Sequence, residues 1–187
     1  MGRIVVTEFI SLDGVVEAPG GEDFRYPNWS FEVDRGSEGE RYKETEALGA
    51  DALLLGRRTY EGFASAWPQY TGELADKYNG MPKYVVSQTL TDAAWTNTTV
   101  LRGELPDEVR RLRDSVDGEI SVPGSIRLVQ ALLAQDLVDE IHLMASPVLL
   151  GHGRRLWADT PDKTAWQLSE ATVYGDGVLL TVHRRVR

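Results

Sequence analysis

Residues 53–61 read Leu53-Leu54-Leu55-Gly56-Arg57-Arg58-Thr59-Tyr60-Glu61. Ala52 to Leu55 is apolar without interruption, as a strand buried on both faces of a sheet requires. It ends on Gly56, a residue that allows close approach of the backbone to a ligand. A helix is expected from about Thr59. Its first N–H groups lack intrahelical partners and so attract an anion. Arg57 and Arg58 add forked donors that match phosphate oxygens, and Thr59 adds a hydroxyl. A glycine turn followed by two surface arginines accounts for the same residues, so the stretch gains its meaning from what surrounds it.

Outward from this stretch, short β-branched runs alternate with helical patterns, which predicts an α/β layer fold. Strands are expected over 4–10, 52–55, 83–87, 98–101, 119–122 and 140–150, with Pro147 marking a bulge or edge. Helices are expected over 37–48, 106–116 and 126–135. Ser37 and Glu40 have capping-box spacing at the start of the first. Runs 166–174 and 178–184 flank Gly175-Asp176-Gly177, a hairpin signal. The expected architecture is a mostly parallel central sheet flanked by helices, closed by an antiparallel hairpin, in a single domain over 1–187.

The strand ends repeat one theme. Val85-Val86 runs into Ser87-Gln88-Thr89, and Ile120-Ser121-Val122 into Pro123-Gly124-Ser125-Ile126. Each puts glycine, hydroxyls or a helix start at the carboxyl end of a strand, where ligands bind in open α/β sheets. Gly56, Ser87 and Gly124 are therefore expected around one groove. The first strand ends on Ser11-Leu12-Asp13-Gly14. Asp13 is placed there to touch a substrate or relay a proton, although an Asp-Gly turn is the plainer account. The sequence holds no Gly-x-Gly-x-x-Gly fingerprint, P-loop or Gly-x-Ser-x-Gly elbow.

Composition narrows the partners. A formal net charge of −9 provides no basic field for nucleic acid. The adjacent arginine pairs, of which Arg57-Arg58 is one, suit a compact anion better than a polymer. With no cysteine, disulfides and thiolate metal sites are excluded. His142, His152 and His183 lack helical i,i+4 spacing, so no metal is expected. No apolar run reaches membrane-spanning length and no signal-peptide core follows Met1, which predicts a cytoplasmic protein without a membrane partner. The segment 15–36, with Gly20-Gly21, Phe24, Tyr26 and Trp29, is a candidate lid, and Trp29 its candidate stacking surface.

Taken in order, five pieces resemble the dihydrofolate-reductase-like superfamily. They are Ser11-Leu12-Asp13-Gly14; Leu55 to Glu61; Val86-Ser87; Gly124-Ser125 with Leu128 and Leu132-Leu133; and Leu137 to Ile141 with Pro147-Val148-Leu149-Leu150-Gly151-x-Gly153. The likeness is strongest to the branch containing the reductase domain of the bifunctional riboflavin-biosynthesis deaminase–reductase and its stand-alone relatives. It runs from about Ile4 to the C-terminus. The sequence has no counterpart of the deaminase domain, Pro123-Gly124-Ser125 replaces the Gly-Gly pair of many relatives, and 15–36 does not follow the riboflavin branch.

The resemblance implies NADPH as cofactor and a homodimer. On matching positions, Arg57 with Ser87 would hold the ribose 2′-phosphate, and Arg58 and Thr59 the pyrophosphate or its neighbour. Gly124, Ser125 and Ile126 would line the pyrophosphate and nicotinamide side. Asp13 would lie near the substrate, and Glu40 near the place of the proton-handling acid on the first helix. The implied reaction is hydride transfer to a small substrate of the pterin or riboflavin-precursor kind. The alternative is a catalytically silent dinucleotide-binding or ligand-sensing protein on the same fold.

Overall fold

Ile4, Val5 and Val6 are all fully buried, so both faces of the strand they form, β1 (Arg3–Ser11), are covered by other layers. The computed structural model describes residues 1–20, 23–158 and 162–187. Among them β1 is joined by β2 (Ala52–Gly56), β3 (Lys83–Val86), β4 (Thr98–Leu101), β5 (Glu119–Val122), β6 (Glu140–Ser146), β7 (Ala165–Tyr174) and β8 (Val178–Val186). The sheet order is β4-β3-β2-β5-β1-β6-β8-β7. The pairings from β4 through to β6 are parallel. β8 is antiparallel to both β6 and β7, so the hairpin at the end of the chain forms the sheet's edge as expected.

The helices are α1 (Gly36–Gly49), α2 (Arg57–Ala66), α3 (Glu73–Gly80), α4 (Leu105–Ser115) and α5 (Ile126–Ala134). Ile4, Val6, Ile10, Leu54 and Val122 pack with Val109 and Leu112 of α4 and with Leu128, Val129 and Leu132 of α5. On the opposite face Leu53, Leu55 and Val85 pack with Tyr60 and Phe63 of α2 and Tyr78 of α3. α1 differs from these, because Gly39 is its one buried residue. It has no apolar stripe, and charged contacts described below hold it to the sheet.

Four expectations change. The helix after Gly56 starts at once, with Gly56 as N-cap, so both arginines belong to its first turn. The first helix begins at Gly36, not Ser37. Arg35 is its N-cap, and the Gly36 N–H bonds the Asp34 carboxylate (2.7 Å), so no capping box forms. β6 stops at Ser146 because Pro147 has no N–H for the ladder. α3 was not expected, since Glu73–Gly80 offers little apolar periodicity and Ala75 is its one buried residue.

Two stretches of the candidate lid, 15–16 and 29–30, pack into the body, while 25–28 are exposed. Trp29 is fully buried, with its indole N–H on the Glu17 carbonyl (2.8 Å), and Val15 and Val16 are buried with it. Trp29 therefore offers no stacking surface to a ligand. Gly21, half of the suggested hinge, lies outside the described residues.

A step in the sheet positions the site. β5 follows β1 only as far as Val122 beside Val6, whereas β1 and β6 continue together to Ser11 beside Ser146. The short strands β2, β3 and β5 form the floor of a groove, and the protruding parts of β1 and β6 form its wall.

Candidate functional site

Because β3, β2 and β5 are parallel neighbours, Gly56, Ser87 and Gly124 meet along one edge of the sheet. The Gly56 N–H donates to the Gly124 carbonyl (3.2 Å). A Cβ on Gly56 would come within 2.5 Å of the Ser125 hydroxyl, so only glycine permits this approach. The Ser125 hydroxyl accepts from the Thr59 N–H (3.2 Å) and lies 3.1 Å from the Thr59 hydroxyl. These contacts fix the first turns of α2 and α5 side by side. The peptide between Gly124 and Ser125 is cis. Ile126 sends its side chain into the core, leaving only its backbone at the groove.

The charge pattern here differs from the rest of the molecule. α1, α3 and α4 each carry an acidic residue in the first turn, which offsets the positive end of the helix dipole. α2 and α5, whose N-termini face the groove, carry none. Among the described residues Arg57 has only an exposed contact with Glu61 (3.7 Å) and a hydrogen bond to the Thr89 hydroxyl (3.3 Å). Such a pair is too weakly held to compete with a bound anion. Arg58 is exposed and makes no ion pair among the described residues. The Ser87 hydroxyl oxygen accepts from the N–H groups of Thr89 (3.2 Å) and Leu90 (3.0 Å), which shapes the turn after β3.

Asp13 is bound differently from what a proton carrier needs. Its carboxylate accepts from the Ser11 hydroxyl (2.7 Å) and from the N–H groups of Leu150 (3.1 Å) and Gly151 (2.9 Å), with Arg155 at 3.6 Å. The Ser11 hydrogen bond, with those of the two amides, holds its pKa below the ordinary value. Asp13 thus ties the end of β1 to the segment after β6 as an ionised acceptor.

Glu40 requires a correction. Its carboxylate is 62% exposed and paired with Arg35 (2.9 Å), so it does not reach the sheet. The carboxylate of α1 that does is Glu46, with a side chain only 7% exposed. It accepts from the Thr7 hydroxyl (2.8 Å), from Lys43 and from Nδ1 of His142 (2.7 Å). Lys43 also donates to Thr7 (2.7 Å), and Nε2 of His142 lies 3.4 Å from Glu140, itself paired with Arg3. Thr7 is the first residue of β1 beyond the end of the β5 pairing, so this cluster stands on the wall of the groove on the α1 side. Burial alone would raise the Glu46 pKa, but Lys43 and His142 outweigh it and hold it at about 2. Burial likewise lowers His142, and the hydrogen bond and charge of Glu46 more than reverse this. Sequence reading missed the cluster because its members are scattered over one helix and two strands. A polar Thr7 and His142 inside otherwise apolar strands were the available signal.

The family model of the RibD C-terminal domain matches residues 3–180. The chain belongs to the RibD C-terminal domain family. Two relatives of this RibD-type chain are the uncharacterized proteins YyaP and YwjB of Bacillus subtilis (strain 168). YyaP is 26% identical over 196 aligned positions, covering 97% of this chain and 94% of the relative. YwjB is 24% identical over 171 positions, covering 91% of each. Among solved structures, a protein of Shewanella sp. PV-4 named for riboflavin biosynthesis superposes with a TM-score of 0.81 at 22% identity, over 99% of both chains. A pyrimidine reductase-like protein of Corynebacterium diphtheriae gives 0.64 at 13% identity, over 99% of this chain and 92% of that one. The fold is thus shared with these solved structures along nearly the whole chain.

Proposed function

We propose that this RibD-type chain binds NADPH along the groove and reduces a small heterocyclic substrate of the pterin or riboflavin-precursor kind. Family membership and the reductase-like neighbours support a reductase-type function. The observation that carries the cofactor is the pairing of two acid-free helix N-termini with loosely held arginines around Gly56, Ser87 and Gly124. This donor set suits a dinucleotide with an additional phosphate. NADPH supplies the hydride when bound. Arg57, beside Ser87, would hold the 2′-phosphate, and Arg58 and Thr59 the pyrophosphate. Gly124, Ser125 and Ile126 would lie under the pyrophosphate and nicotinamide. The wall of β1 and β6 would orient the substrate, with the Lys43–Glu46–Thr7 cluster offering it hydrogen bonds.

NADPH oxidation measured against a panel of pterins, riboflavin precursors and small carbonyl compounds tests this reading. Turnover of one of them is the expected result. Tight NADPH binding with no turnover across the panel would favour the silent dinucleotide-binding alternative. Asp13→Asn is expected to lower turnover while leaving NADPH affinity nearly unchanged, because it loosens the segment after β6 and touches none of the cofactor positions. Equal turnover would separate that segment from the reaction.

We also propose that two copies pair through the hairpin. Leu168, Val173 and Leu179 are 52%, 66% and 38% exposed on the face of β7 and β8 turned away from α1. A monomer mass by light scattering at micromolar concentration would overturn the dimer. Among the described residues, no helix is long and apolar enough to cross a membrane.

A further inference from the structure

Arg102 follows directly on the last residue of β4 and belongs to none of the arginine pairs. Its guanidinium makes no ion pair with a carboxylate among the described residues; it donates to three backbone carbonyls of one turn. Nη1 reaches Ser87 (3.3 Å) and Gln88 (3.1 Å), and Nη2 reaches Leu90. The turn is laced to the same residue in the other direction, since Gln88 donates its side-chain amide to the Arg102 carbonyl (2.7 Å). Beside it, the Ser87 N–H bonds the Leu101 carbonyl (3.2 Å). The turn so held carries the Ser87 hydroxyl, and the Thr89 hydroxyl that accepts from Arg57 at the start of α2.

We propose that Arg102 is a positioning residue for recognition of a phosphate monoester at this edge, acting by clamping 87–90 against Arg57. The inference rests on the NADPH reading above and deepens it. The carbonyls are taken by two nitrogens of one planar fork, Nη1 for Ser87 and Gln88 and Nη2 for Leu90, whereas a lysine presents all its donors from a single nitrogen. Without the clamp the turn is tied to β4 by little more than the Ser87 and Gln88 bonds, and the Ser87 and Thr89 hydroxyls lose their fixed place beside Arg57. The adenosine and nicotinamide portions of the ligand do not depend on this geometry, so its loss is felt by the 2′-phosphate alone.

Fluorescence titration of the full chain with NADPH and with NADH tests this on wild type, Arg102→Ala and Arg102→Lys. In Arg102→Ala the NADPH Kd is expected to rise about tenfold, the NADH Kd to stay within about twofold, and the melting temperature to hold. Arg102→Lys keeps the charge without the fork and is expected to behave like the alanine variant. It also decides the matter should Arg102→Ala not fold. A wild-type NADPH-to-NADH ratio in Arg102→Lys would show that charge alone suffices and overturn the positioning role. An unchanged ratio in Arg102→Ala would overturn any role. Wild type that fails to prefer NADPH refutes the cofactor reading itself, a separate outcome read before either variant.

Discussion

Glu46→Ala is expected to lower the unfolding free energy by about 3–5 kcal/mol, the range for removing one partner of a buried ion cluster. The substitution strands Lys43 and His142 under α1 with no carboxylate between them, and it frees the Thr7 hydroxyl. α1 has little apolar contact to fall back on, so the loss is felt along the whole helix. The pH dependence has a definite sign. Glu46, lowered from 4.5 to about 2, contributes stability that is full above 4.5 and disappears as the pH falls through about 2. His142, raised above 6.5, contributes stability that is full below 6.5 and disappears as the pH rises through its raised value. The two together are strongest between about 4.5 and 6.5. Urea unfolding across pH measures this, and a flat profile in the wild type with a loss below about 1 kcal/mol in Glu46→Ala would show that the cluster does not hold α1.

Arg57→Ala is expected to weaken NADPH binding by about ten- to a hundredfold and to leave NADH binding almost unchanged. A charge-assisted hydrogen bond to phosphate contributes roughly 1.5–3 kcal/mol. NADH lacks the phosphate and never forms that contact. The present partners of Arg57, an exposed Glu61 at 3.7 Å and the Thr89 hydroxyl, are too weak to make the substitution costly to the fold. Arg58→Ala belongs in the same titration, since both arginines lie in the first turn of α2. A hundredfold loss in Arg58→Ala with none in Arg57→Ala would transfer the role to the neighbour.

Where burial and period agreed, the fold was legible in the sequence. Ala52 to Leu55 has no polar residue because both its faces are covered, and the hairpin announced itself through Gly175-Asp176-Gly177 between two alternating runs. The floor of the groove was legible for the same reason, since the ends of parallel strands fall on one edge and the residues there can be named from order alone. The wall was not. Glu40 and Glu46 lie on one polar helix with no apolar stripe to show which side faces the sheet, so rotation about that helix was undetermined. The contacts of Glu46 with Thr7 and His142 link residues 39 and 96 positions apart, and nothing local announces them. Arg102 was readable by the rule applied to Arg57, a cation at the carboxyl end of a parallel strand. Trp29 went astray because a tryptophan among glycines and prolines reads as a loop residue, whereas here it is the core of the loop.

The most direct test of the groove as a dinucleotide site is calorimetric titration of the wild-type protein with NADPH and, separately, with NADH. The arrangement of Gly56, Arg57, Ser87 and Gly124 predicts saturable binding of NADPH at least about tenfold tighter than that of NADH, as one charge-assisted phosphate contact requires. Equal affinities, or no heat of binding with either dinucleotide, would contradict it.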